Sequence, residues 1–324
     1  MKFKSLTFSS IAAAVALASP TSYAQTDLSE VLKGFSASGF IDMSFVNTDV
    51  DDADSTEKEF NVDQVEVDFF FKGKDGISAQ VDIEFGENGT GNGEDETFVE
   101  QVFITKQFNE SFSLTAGRFL SYTGWETEEP TGLYQFSGTG YAPVFYGFYQ
   151  QGVSGQYKVN NAVSFTLSVV NDLFSDPIES DTTNLGSEFG IHLSPLPGVT
   201  AKAFYLSETD RDALNVWASY EVSGFTFAAE YNTAEGTTGL DEESDGYLLM
   251  ANYASGDYGI TFRYHAYETE DAGGTTITDL SGITIAPSLT VGDNLLLVAE
   301  YRLDTDDISD VDTNTFALEA LFTF

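Results

Sequence analysis

The chain of 324 residues has no cysteine, two histidines, and 13 basic side chains against 52 acidic ones. Without cysteine there is no disulfide staple and no thiol nucleophile. The acidic excess argues against nucleic acid as a partner and against electrostatic docking to anionic lipid. Beyond the first 24 residues no apolar run approaches 18 residues, so no membrane-spanning helix is expected. Helical periodicity is nearly absent; only Asp27 to Lys33 has room for a turn or two. The motifs of hydrolytic enzymes are missing as well. There is no Gly-x-Ser-x-Gly and no His-Glu-x-x-His. His192 and His265 fall in the middle of expected strands. A carboxylate pair can act alone in glycoside hydrolysis, but nothing singles out two of 52, and no enzyme is expected. The composition does not describe a disordered acid either, because aromatic residues make up 14% of the chain.

The first 24 residues read as a secretory signal. Lys2 and Lys4 open it, Leu6 to Ala18 is an apolar run, and Ser22-Tyr23-Ala24 is a small-x-small cleavage pattern. Its removal would leave 300 residues with 11 basic and 52 acidic groups, a charge of −41. Residues 25–33 are then a short N-terminal periplasmic segment.

What the sequence has in quantity is a period of two. In "ISAQVDIEF", Ile77, Ala79, Val81, Ile83 and Phe85 oppose Ser78, Gln80, Asp82 and Glu84. In "FNVDQVEVDFFF", Val65, Val67, Phe69 and Phe71 oppose Gln64, Glu66 and Asp68. Such alternation marks strands with two different faces. It predicts strands over 34–47, 59–73, 77–87, 97–107, 111–120, 145–158, 162–172, 186–194, 199–208, 213–222, 224–233, 245–254, 257–268, 275–286, 294–303 and 313–324. Parity is unclear in the fourth, ninth, twelfth and fourteenth. Every second connector is short, such as Lys74-Asp75-Gly76, Asn160-Asn161, Ser223 and Ser255-Gly256; the longest of these is 287–293. The alternate ones are mostly long and acidic, at 48–58, 88–96, 121–144, 173–185, 234–244 and 304–312. An even strand number with short turns at one end and long loops at the other is the pattern of an outer-membrane barrel. The fold expected is therefore all-β: a transmembrane antiparallel β-barrel of 16 strands, spanning 34–324, with short periplasmic turns and longer acidic extracellular loops. Its last strand, with Phe316, Leu318, Ala320, Phe322 and Phe324 on one face, would pair with the first and show that face to lipid.

The run "FNVDQVEVDF … VEQVFITKQFNESFSLTAGRFLSYTGWETEEP … FYQQGVSGQYKVNNAVSFTLSVVND" resembles the OmpL-like β-barrel porins of Gram-negative bacteria, over about residues 34–172. The likeness rests on "Q-x-E", "VEQ", "AGRF" and "GVSGQY" in that order. It implies a passive outer-membrane channel for small hydrophilic solutes and a homotrimer. It also implies contact with the bilayer and its lipopolysaccharide, and passage through the barrel-assembly machinery, for which a terminal aromatic such as Phe324 resembles the recognition signature. No cofactor is implied.

On inward parity fall Glu66, Asp68, Asp82, Glu84, Glu188, Glu221, Glu230, Glu300 and Glu319, with Arg263, Arg302 and His265. A charge facing lipid at the midplane costs roughly 2–4 kcal/mol for a basic residue, so these groups are expected to line a water-filled lumen or to pair inside it. Sixteen strands leave a lumen too wide for side chains to fill. Carboxylates outnumber cations there, which predicts a preference for cations. By analogy with other sixteen-stranded porins, the long loop 121–144 is the candidate constriction, with Trp125, Glu126, Glu128, Glu129, Tyr134, Phe136 and Tyr141; an extracellular flap is the alternative. Arg118 shares parity with apolar Leu114 and Ala116. A bulge at Gly117 would turn it inward toward Glu126, Glu128 and Glu129; otherwise it sits at the rim. The aspartates at 49, 51, 52 and 54 and at 304, 306, 307, 310 and 312 match no calcium-loop motif, and no dedicated metal site is expected. Tyr146, Tyr157, Tyr220, Tyr231, Tyr253, Tyr258, Tyr264 and Tyr301 fit interfacial girdles. Two other readings stay open from sequence: a barrel serving as surface anchor or adhesin through its acidic loops, and a solute-selective channel, for example for sugars.

Overall fold

The computed structural model describes residues 33–51, 56–86, 96–126, 129–174, 185–236 and 242–324. The signal expected over 1–24, nearly all of the segment expected over 25–33, and Glu128 lie outside the described residues.

Sixteen strands form one closed antiparallel barrel: β1 Phe35–Val50, β2 Thr56–Lys72, β3 Ile77–Gly86, β4 Glu96–Asn109, β5 Phe112–Leu120, β6 Tyr149–Asn160, β7 Val163–Val170 and β8 Gly186–Leu193, then β9 Val199–Glu208, β10 Arg211–Val222, β11 Phe225–Glu235, β12 Glu243–Ser255, β13 Tyr258–Glu270, β14 Thr276–Val291, β15 Leu295–Asp306 and β16 Val311–Thr323. Each strand pairs with its neighbours in sequence, and β16 returns to β1, with Phe45 opposite Leu318 and Ser44 opposite Glu319. Closure leaves no free edge, so every strand has a partner on both sides.

The alternation read from sequence survives as two faces. Large apolar side chains stand exposed on the outside, among them Ile104, Leu167, Leu249, Phe262 and Ile283. A continuous band of this kind needs an apolar surrounding. Tyr157, Tyr220, Tyr231, Tyr253, Tyr258 and Tyr301 share that outer face. The short connectors are tight turns. Asp75 and Gly76, and Ser223 and Gly224, have positive φ at both central positions, the conformation that two-residue hairpins favour because its twist matches the strands. A Cβ on Gly224 would lie 2.6 Å from the Ala254 carbonyl oxygen, so glycine is required there.

Two boundaries differ from the sequence reading by four residues or more. β14 runs on to Val291, with Pro287 inside it. Proline has no N–H for the ladder and reads as a strand end; here the pairing of β14 with β15 is interrupted only between Ile285 and Ser288 and resumes in the same register. β6 starts at Tyr149, because Ala142–Phe145 makes one helical turn, α1, closed by the Tyr146 N–H on the Ala142 carbonyl at 2.8 Å. The loop after β5 is therefore longer than expected, 121–148.

At the seam, Phe324 exchanges backbone hydrogen bonds with Gly39 at 3.0 and 3.1 Å. Its ring stacks on Phe322 at 6.3 Å and stays half exposed. Substituting Phe324→Asp puts a charge at this seam on the apolar outer face. We expect it to lower the heat-modifiable, folded fraction in the membrane several-fold, since a charge on the lipid-facing side destabilises a barrel even near its rim, by up to about 1 kcal/mol. Equal folded amounts in variant and native protein would show that the ring is dispensable.

Candidate functional site

The interior has two unlike banks, separated by the loop 121–148. Along β7 to β12 the inner wall is partly apolar. Phe204, Leu206, Ala213, Ala228, Leu248 and Met250 form a buried cluster with Tyr141, Phe145 and Tyr146 of the loop. The aromatic content of the loop thus has a seat. Trp125 stacks on Tyr134 at 6.0 Å and meets Trp217 of β10 edge-on at 5.2 Å.

Buried carboxylates then fix the loop to the wall. Glu188 on β8 accepts the Ser121 hydroxyl at 2.7 Å and the Tyr122 N–H at 3.1 Å. Glu230 on β11 accepts the Trp125 N–H at 2.8 Å, the Tyr141 hydroxyl at 2.6 Å, and the Tyr146 hydroxyl. Glu300 on β15 accepts the Ser137 N–H at 3.1 Å and its hydroxyl at 2.5 Å. Burial first, and Glu230 second, hold the Tyr141 and Tyr146 phenols well above their usual range; both donate as neutral hydroxyls. Arginines hold the carbonyls of the same loop. Arg263 on β13 pairs with Glu126 at 2.6 Å, both almost fully buried, and donates to the Ser137 carbonyl at 2.5 Å. Arg302 on β15 donates to Thr139 O at 3.0 Å and to Gly138 O. Arg211 on β10 donates to Pro143 O and Val144 O, each at 2.8 Å. Carboxylates take the N–H groups and guanidinium groups take the carbonyls, so an irregular segment inside a barrel keeps its backbone satisfied.

The opposite bank, on β16 and β1 to β4, is acidic. Asp42 on β1 and Glu319 on β16 are buried diagonal neighbours, with Asp42 opposite Leu321 and Ser44 opposite Glu319. Glu66 and Asp68 on β2 stand directly opposite Glu84 and Asp82 on β3. Like charges in register repel, and side-chain amides and a hydroxyl moderate this. Gln80 and Gln101 each donate to Asp82 Oδ2 at 2.7 Å, Gln64 donates to Glu66 at 3.2 Å, and Ser38 donates to Asp68 at 2.9 Å. From the loop, Glu129 reaches this bank; it accepts from Gln64 at 3.4 Å and from the Tyr149 hydroxyl at 3.2 Å. A cavity of about 340 Å³ lies here, lined by Glu66, Asp68, Asp82, Glu129, Gln101 and Thr131 among others.

The inward residues read from sequence therefore divide. Glu66, Asp68, Asp82, Glu84 and Glu319 belong to the acidic bank. Glu230, Arg263, Glu300 and Arg302 face inward but are covered by the loop, as is Glu188, and form its seat. Glu221 is exposed beside the turn at Gly198, whose carbonyl accepts its N–H at 2.8 Å. Glu126 pairs with Arg263, and of the described loop acids Glu129 is the one that meets the acidic bank. The expected bulge at Gly117 is absent. Gly117 has φ +138°, yet the ladder runs through it without a bulge, with Arg118 opposite Val102 and Gln151. Arg118 keeps the parity of the exposed Val102, and its guanidinium lies 5.4 Å from the Tyr149 ring centre. Tyr146 is not in a girdle; it is a loop residue buried against the inner wall. Among the acids of this bank that were not singled out from sequence are Asp63 and Glu100. Each is the extra residue of a β-bulge: β1 pairs Asp42 with Gln64 and Met43 with Val62, and β3 pairs Asp82 with Gln101 and Ile83 with Val99. A bulge places neighbouring residues on one face and breaks the period of two, which accounts for the unclear parity of β4.

Among curated protein sequences none matches this chain. Among solved structures the fold is similar to that of OmpF of Salmonella typhi in complex with daunomycin, at 12% identity and TM-score 0.69, covering 90% of this chain and 97% of that one. It is similar to an anion-selective porin from Comamonas acidovorans, at 12% identity and TM-score 0.69, covering 90% and 99%. It is also similar to the trimer form of in-vitro folded OmpT, an outer-membrane protein of Vibrio cholerae, at 12% identity and TM-score 0.62, covering 90% and 100%. The sequence pattern of one family, described as putative beta-barrel porin-2, OmpL-like, matches residues 34–324. The closed sixteen-stranded barrel, its apolar outer band and a family match over nine-tenths of the sequence agree, and the chain belongs to the OmpL-like β-barrel porins of the outer membrane.

Proposed function

We propose that this porin is a passive channel for small hydrophilic solutes that prefers cations, and that ions pass between the loop and the acidic bank. The observation that supports the sign is the segregation of charge. Arg211, Arg263 and Arg302 bind loop carbonyls on one side, while Asp42, Glu66, Asp68, Asp82, Glu84, Glu100 and Glu319 gather on the other. Carboxylates in a narrow low-dielectric passage raise the local concentration of cations. The fold does not choose the sign, since one structural relative is named as anion-selective.

The test is the reversal potential of the purified protein in a planar bilayer under a KCl gradient. The expected value lies on the potassium side and shrinks as salt rises from about 0.1 M to 1 M, where the screening length falls from roughly 10 to 3 Å. A value on the chloride side would refute the reading. We propose a homotrimer as the assembly, as in the trimer form of OmpT; mass measurement of the detergent-solubilised complex is expected to give three copies.

A further inference from the structure

On the acidic bank, one oxygen from each of Glu66, Glu100 and Glu129 lies within 4.8 Å of the others, and so does one from each of Glu66, Asp68 and Asp82. Glu66 is common to both groups. A second observation is separate from this crowding. Glu100 and Asp82, 4% and 1% exposed, each keep one carboxylate oxygen, Oε2 and Oδ1, buried and without a hydrogen-bond donor. Asp82 shows how such an atom is aimed. Its Oδ2 takes both Gln80 and Gln101 at 2.7 Å, which fixes the group and leaves Oδ1 for something else. Outer-shell hydrogen bonds of this kind orient carboxylates toward a metal ion. The bulge at Glu100 adds a further carboxylate from β4 beside Gln101.

We propose that these residues form a calcium-class divalent-cation site, in which Glu66 and Glu100 of the wall and Glu129 of the loop share one ion, with Asp82 and Asp68 beside it. The donor set is all carboxylate oxygen, which suits a hard cation. Oxygens on opposite sides of a calcium ion stand about 4.6–5.2 Å apart, given bonds of roughly 2.3–2.6 Å, whereas magnesium needs a near-ideal octahedron at about 2.0–2.1 Å. Oxygens that all lie within 4.8 Å of one another are close enough to be drawn onto one such ion. A bound ion would tether the loop to the wall across the proposed ion path. Calcium is therefore expected to bind and to reduce potassium current. The site shares its wall with the cation-channel reading, so binding and conductance are read separately.

The experiment titrates CaCl2 into the folded, detergent-solubilised barrel by calorimetry at about 0.15 M KCl, where loop charges are screened beyond roughly 8 Å. It then repeats the titration on the bilayer current. The native protein is expected to show saturable binding, tighter for calcium than for magnesium. Glu66→Gln with Glu100→Gln is expected to weaken it at least about 10–100-fold, the loss typical even of outer-shell changes. Glu129→Gln, made from the loop alone, is expected to weaken it as well without touching the wall. Asp51→Asn with Asp310→Asn, on the exposed outer connectors, should leave it unchanged. Neutral amides relieve repulsion, so the variants should fold, and heat-modifiability checks this. Absence of saturable binding in the native protein would overturn the site, with the carboxylates then sharing protons instead. Equal affinity in the wall and outer-connector variants would overturn it too. Calcium binding without any conductance would leave the site standing and sink the channel reading; potassium selectivity without calcium binding would do the reverse.

Discussion

Replacing loop residues 130–140 by a short Gly/Ser bridge is expected to raise single-channel conductance by at least about twofold, because current through a water-filled pore is set by its narrowest cross-section. Flexible bridges close at modest entropic cost, and the barrel ladder does not involve this segment. The same effect should appear in milder form when one tether is cut. Arg263→Met leaves Glu126 buried without its cationic partner, and removing one member of a buried ion pair costs roughly 3–5 kcal/mol. The loop is expected to leave its seat part of the time, seen as larger and noisier openings. Arg263→Met combined with Glu126→Gln removes the stranded charge and should come closer to native behaviour than the single variant. Unchanged conductance on loop replacement would mean that the loop does not restrict the path.

Selectivity should respond to the acidic bank and not to the loop seat. Neutralising Glu66, Asp82 and Glu100 together is expected to lower the preference for potassium over chloride by roughly threefold or more, since charges along a low-dielectric passage act on every ion that traverses it. Neutralising Asp51, Asp307 and Asp310 should change it far less, because exposed charges are screened beyond roughly 8–10 Å. Glu300→Gln is the sharper comparison. Glu300 is as inward by parity as Glu66, but it accepts the Ser137 N–H and hydroxyl beneath the loop. Its loss should loosen the loop and leave the reversal potential near the native value. A drop in selectivity equal to that of the wall triple would show that the seat, too, faces the ion path.

The sequence by itself determined the barrel. Period-two alternation is a local property, and each strand carries its own copy of it, so sixteen strands, their inner and outer faces and the end that holds the short turns could be read without long-range information. Asp75-Gly76 and the turn at Ser223 were legible for the same reason. Where the local rule was broken, the reading weakened: Pro287 inside β14, and the bulges that turn Asp63 and Glu100 inward. The tertiary structure alone decided which inward charges are covered. Glu126 meets Arg263 across 137 positions of chain, and Ser137 meets Glu300 across 163. No period relates such residues. Parity places Glu300 and Glu66 alike, and only the path of the loop, set by the apolar wall of β7 to β12 and by arginines matched to its carbonyls, makes one an anchor and leaves the other on the acidic bank.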